Sequence, residues 1–138
     1  MKYSVLFCIF TSLLIFSVFI STSQSSPYVI ENPSNKQLTF IKAALDKGIT
    51  ITSSAMIKSS NHQNAFYIGV NFYARGVKDK MTGIWIMGGT RNKPGLLFSI
   101  NGYAHQFSGM RKASETKAAA YSHDPEAKLI LKYLRSKK

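Results

Sequence analysis

Ser114-Glu115-Thr116-Lys117 puts a hydroxyl and an amine three residues apart. On a helix that spacing stacks them one turn apart, where a lysine can help to take the serine proton during acyl transfer. Ser114 and Lys117 are thus the catalytic candidates, but weak ones, because no Ser-Asp-Asn or Lys-Thr-Gly sequence accompanies them in a chain of 138 residues. A helix start with a cationic neighbour accounts for the same four residues. The histidines, His62, His105 and His123, are scattered, and no two have the spacing of metal ligands. Asp124 beside His123 resembles an orienter beside a base, yet it serves equally as a helix cap. The remaining acids, Glu31, Asp46, Asp79, Glu115 and Glu126, fall in loops or helix ends. A paired acid and base of the glycoside-cleaving kind therefore has no members on the strands. No metal or cofactor is expected, and the balance is against an enzyme.

Two further groupings suit binding. Residues 88–95, Gly-Gly-Thr-Arg-Asn-Lys-Pro-Gly, are glycine-rich and basic, so their backbone N–H groups could cup an anion, with Thr90, Arg91 and Lys93 as its contacts. The Walker pattern is missing and no helix follows, which makes a hairpin connection the better account. The second grouping is aromatic: Tyr67, Tyr73, Trp85 and Tyr103 fall among hydroxyl and amide side chains on the strands. A sheet face of this kind suits stacking on sugars or bases, with Arg91 and Lys93 among the cations at its rim. Against that stands the ordinary preference of aromatic and β-branched residues for a pleated surface. The same face could equally pack on residues 108–123 or on a second copy.

The elements that must position these groups are read from period and caps. Asn32-Pro33 opens a helix over residues 33–47, with Leu38, Ile41, Ala44 and Leu45 on one face and Gly48 as its stop. The period then changes to two. Ile49, Ile51, Ala55 and Ile57 mark a first strand, and Phe66, Ile68, Val70 and Phe72 a second. Residues 83–87 form a third strand, and residues 96–106 a fourth. Residues 114–121 can form a helix through their alanines. Asp124-Pro125-Glu126 opens a last helix, with Leu129, Ile130, Tyr133 and Leu134 on one face and cations at its end. Short connections favour an antiparallel meander. The expected fold is α+β, a two-layer sandwich with the N-terminal and C-terminal helices on one face of a four-stranded sheet. The face left open carries Tyr67, Tyr73, Trp85 and Tyr103.

Residues 1–26 have the order of a secretory signal: Lys2, an apolar run over residues 5–20, and a small polar exit, with Ser23/Gln24 and then Ser25/Ser26 as cleavage points. The alternative is an uncleaved membrane anchor formed by residues 5–20. Cys8 is the one cysteine, so cleavage would leave residues 27–138 as a single domain without disulfides. Formal charge is +12, and only Lys2 among the cations lies in the signal. Such a balance favours anionic partners. The expectation is an exported, periplasmic or secreted, non-enzymatic module that engages an anionic polymer or acidic protein of the cell envelope. Nucleic acid is a weaker fit, and a membrane is a partner only if the signal stays. Alternatives are a structural or inhibitory subunit of an envelope complex and, less favoured, a small Ser/Lys hydrolase.

Overall fold

The computed structural model describes residues 27–137. Residues 1–26, expected to be a secretory signal, lie outside the described residues, and Cys8 with them. No helix among the described residues is long and apolar enough to cross a membrane.

The first helix, α1 (Asn35–Ala44), starts after Ser34 rather than at Asn32. Ser34 Oγ accepts from the Gln37 amide at 3.2 Å and Gln37 Oε1 accepts from the Ser34 amide at 2.9 Å. This reciprocal pair satisfies two amides that the helix itself leaves open. Four strands follow, β1 (Thr50–Lys58), β2 (Ala65–Tyr73), β3 (Met81–Gly89) and β4 (Pro94–Ser99). They pair in sequence order, each antiparallel to the next. The fold is α+β and its sheet is a four-stranded meander, as the periodicity predicts. The β3–β4 turn is closed at Gly89, where φ is +94° and a Cβ would stand 2.4 Å from the Lys93 carbonyl oxygen.

One part of the expected architecture is corrected. Directly opposed residues share a face of the sheet, and the register opposes Tyr67 to Ile86 and Gly69 to Ile84, but Phe66 to Met87 and Ile68 to Trp85. Phe66 and Ile84 therefore lie on opposite faces. Ala55, Ile57, Tyr67, Ile84 and Ile86 pack with Ala127, Ile130 and Leu134 of the last helix, α3 (Pro125–Ser136). Met56, Ile68, Val70, Phe72, Trp85, Met87 and Leu97 pack with Ile41 of α1 and with Ala104 of a short helix, α2 (Gly102–Ser108). The sheet is thus the middle of three layers, and no face is left open. Two local features produce this. The register of β1 against β2 shifts between Ile51 and Ser53, and this bulge sends Ile51 to one core while Ala55 and Ile57 enter the other. Gly69 lets α3 sit close on the sheet, because a Cβ there would stand 2.2 Å from Ile130 Cγ2 and 2.7 Å from Leu134 Cδ1.

The fourth strand is also shorter than residues 96–106. It ends at Ser99 because Asn101 turns the chain: its Oδ1 accepts from the Ala104 amide at 3.1 Å and the Ile84 amide at 3.0 Å, and its Nδ2 donates to the Thr82 carbonyl at 2.8 Å. Asn101 thereby caps α2, which Gly109 closes in the left-handed conformation at φ 62°. Of the helix-capable stretch 114–121, only a single 3₁₀ turn (Ala113–Glu115) forms. At α3 the Asp124-Pro125 start is where the caps place it. However, Asp124 Oδ2 accepts from the Tyr121 amide and the Tyr67 hydroxyl, both at 2.7 Å, and not from an amide of the helix.

Candidate functional site: the basic end of the sheet

The residues expected to share an aromatic face are separated by the fold. Tyr67 and Trp85 are fully buried, on opposite faces of the sheet. Each has its polar tip satisfied, as large amphipathic rings in a core normally do. The Tyr67 hydroxyl donates to Asp124 Oδ2 at 2.7 Å, and Trp85 Nε1 donates to Ser108 Oγ at 3.1 Å. Burial, and then the bond to and charge of Asp124, raise the Tyr67 phenol well above its ordinary range, with the nearby charge of Glu126 adding to the shift. Tyr67 is therefore a neutral core residue at any physiological pH.

The basic loop commits two of its amides within the turn. Thr90 N–H donates to the Lys93 carbonyl at 3.0 Å, and Lys93 N–H donates to Thr90 Oγ1 at 3.1 Å, so the turn closes on itself. Arg91 is turned toward the N-terminal strap, pairing with Glu31 at 3.1 Å and donating to the Asn32 carbonyl at 2.9 Å. Lys93 is exposed. Ser114 and Lys117 are exposed too, and the backbone between them leaves the 3₁₀ turn at Thr116 in an extended conformation (φ −126°, ψ 173°). They do not lie one helical turn apart, and no hydrogen bond joins them.

Tyr73 and Tyr103 are the predicted aromatics that reach solvent, 39 % and 48 % exposed. Both stand at the end of the sheet where β2 stops, β3 starts and α3 finishes. Two cavities adjoin there. One, of 280 Å³, is lined by Lys80, Thr82, Asn101, Tyr103, Leu131 and Arg135. The other, of 350 Å³, is lined by Thr52, Ser53, Tyr73, Lys80 and Lys137. Lys80 is common to both, and among the described residues neither has a carboxylate in its wall. The Lys80 ammonium donates to the Lys137 carbonyl, which ties the β3 start to the helix end. The Lys137 ammonium lies 4.7 Å from the centre of the Tyr133 ring.

Beneath the cavities lies a buried polar network that sets their floor. Asn71 is fully buried. Its Nδ2 donates to the Leu134 carbonyl and to Ser53 Oγ, each at 2.9 Å, and its Oδ1 accepts from the Thr82 hydroxyl at 2.6 Å. One amide thus joins β1, β2, β3 and the last turn of α3. Asn71, Lys80, Arg135 and Lys137 are not among the residues singled out from the sequence. The signal available for Asn71 was an amide between apolar residues in the clearest strand.

A second polar cluster sits at the opposite end of α3. Glu126 is fully buried, and its Oε1 accepts from the Ser60 amide at 2.9 Å and the Ser60 hydroxyl at 2.7 Å. Its Oε2 is buried without a hydrogen-bond partner. Ser59 Oγ accepts from the amides of Asn61 and His62, and it contacts His62 Nδ1 at 3.1 Å. These bonds hold the β1–β2 connection against the first turn of α3, where the helix dipole favours a carboxylate. The neighbouring 450 Å³ cavity is walled by Ser59 and Ser60 but not by Glu126. Among the described residues no three histidine, cysteine or acidic side chains are grouped to hold a metal ion. This cluster accordingly has the bonding of a structural clamp, whereas the basic end presents side chains to solvent. No family model matches the chain, and neither the curated proteins nor the solved structures gave a match.

Proposed function

We propose that the protein is an exported, non-enzymatic module that binds an anionic envelope polymer, and that the basic end of the sheet is where it does so. The observation that carries this reading is the pair of adjoining cavities that share Lys80, have Arg135 and Lys137 in their walls and, among the described residues, have no carboxylate there. The C-terminus of α3 contributes roughly half a negative charge at this end. Three full cations outweigh it, leaving a surplus of about two and a half charges close to one another. The chain's +12 formal charge adds long-range attraction. The expected aromatic platform is replaced in this reading by Tyr73 and Tyr103 at the cavity rims.

Retention of the purified protein on immobilised acidic cell-wall polymer is the test. Binding is expected at low salt and release at high salt, as exposed charges are screened over about 10 Å at 0.1 M. A Lys80→Ala, Arg135→Ala double variant is expected to elute at much lower salt. A Lys47→Ala, Lys117→Ala variant, which removes the same charge from other surfaces, is expected to elute near the parent. Equal loss in the two variants would mean that net charge alone drives retention and that the basic end is no site.

A further inference from the structure

The two cavities differ from a plain cationic patch in what stands beside the charges, and this narrows the ligand. Resting on the polyanion reading above, we infer that the basic end is built for an acidic glycan, a chain in which sugar rings alternate with carboxylate groups, and not for a ring-free polyanion. Each cavity carries one exposed tyrosine, Tyr103 in the first and Tyr73 in the second, with Lys80 between them. A bare phosphate chain has no use for an aromatic face, whereas a pyranose ring lays its C–H surface on one. The neutral groups point the same way. Thr82 gives its hydroxyl proton to Asn71, so toward the cavity it has only lone pairs to offer. Ser53 Oγ accepts from Asn71 and keeps its own proton for donation. The Asn101 amide nitrogen has one N–H committed to the Thr82 carbonyl and a second in hand. The walls therefore offer both donors and acceptors. Phosphate and carboxylate oxygens only accept, and would leave the Thr82 lone pairs without a partner. A sugar hydroxyl both donates and accepts. Arg135 on one side and Lys137 on the other supply a cation to each ring's acid, with Lys80 in the wall of both.

Calorimetric titration of the intact protein with oligogalacturonate, with polyphosphate of matched charge, and with neutral dextran tests this. Oligogalacturonate is expected to bind tightest, dextran not measurably. A Tyr73→Leu, Tyr103→Leu variant is expected to lose roughly tenfold in affinity for oligogalacturonate, the lower part of what a ring contact contributes, with polyphosphate binding unchanged. Both side chains are exposed, so an unaltered unfolding transition will show that the fold survives the change. If polyphosphate binds as tightly as oligogalacturonate, or if the tyrosine variant weakens both alike or neither, the glycan inference is overturned while the polyanion reading stands. If neither polyanion binds in low salt, the polyanion reading itself fails.

Discussion

Replacing Asn71 with alanine removes the one side chain that joins three strands to the end of α3, and the structure gives the size of the effect. The Thr82 hydroxyl loses its 2.6 Å acceptor in a buried setting. An orphaned buried hydroxyl costs about 1–3 kcal/mol. The Leu134 carbonyl loses the 2.9 Å bond from Asn71 but keeps a 3.2 Å bond from the Lys137 amide, so its loss is about 1 kcal/mol. Ser53 is half-buried and can turn to water at little cost. The sum is about 3 kcal/mol, or a fall in Tm of roughly 12 °C for a domain of this size. Urea unfolding followed by the fluorescence of Trp85, the single tryptophan and fully buried, measures it directly. The midpoint is expected to fall with the m-value unchanged. Thr82→Ala alone is expected to cost less, and the double variant about 1 kcal/mol less than the two single losses added, because they share a bond. A loss below 1 kcal/mol for Asn71→Ala, or strict additivity with Thr82→Ala, would refute the view that this amide fastens α3 to the sheet.

Two other outcomes follow from particular contacts and a third from the N-terminal sequence. Gly69→Ala is expected to destabilise by about 2 kcal/mol through overpacking against Ile130 and Leu134; Ile130→Leu, which removes the offending Cγ2, should recover part of the loss in the same urea assay. Because burial raises the Tyr67 phenol above its unfolded value, the folded state holds that proton more tightly. Its contribution is complete below about pH 10, where the unfolded phenol titrates, and is lost as pH rises above it. Tyr67→Phe should lower stability at neutral pH by about 1 kcal/mol for the lost bond to Asp124 and flatten the alkaline decline in a pH series of thermal scans, and an unchanged decline would contradict this. Edman sequencing of protein recovered outside the cytoplasm is expected to start at Gln24 or Ser26, and a start at Met1 would replace export and release by anchoring through residues 5–20.

The limits of reading the strands show in β2 and β3. Phe66, Ile68, Val70 and Phe72 are legible as one apolar face, and alternation alone makes Tyr67, Gly69 and Asn71 the wet one. In β3, residues Gly83 to Met87 are apolar without interruption, the pattern of a strand covered on both sides. That pattern was the available clue to a third layer. For the candidate site, Tyr73 and Tyr103 were named from their types, whereas Lys80 and Arg135 were indistinguishable from any surface cation until the chain brought them together.

By itself the sequence determined the charge, the order of the first helix, the four strands and the last helix, the start of α3 and the apolar stripes, since period, caps and turns act over a few residues. Only the tertiary structure decided which stripe meets which. Register between strands, the bulge at residue 52 and the seat that Gly69 offers to α3 are contacts between residues far apart in the chain. A slip of one residue in such a contact exchanges the two faces of a strand. That exchange buried the expected aromatic platform of Tyr67 and Trp85 and left the basic end of the sheet as the surface with charge and rings to offer.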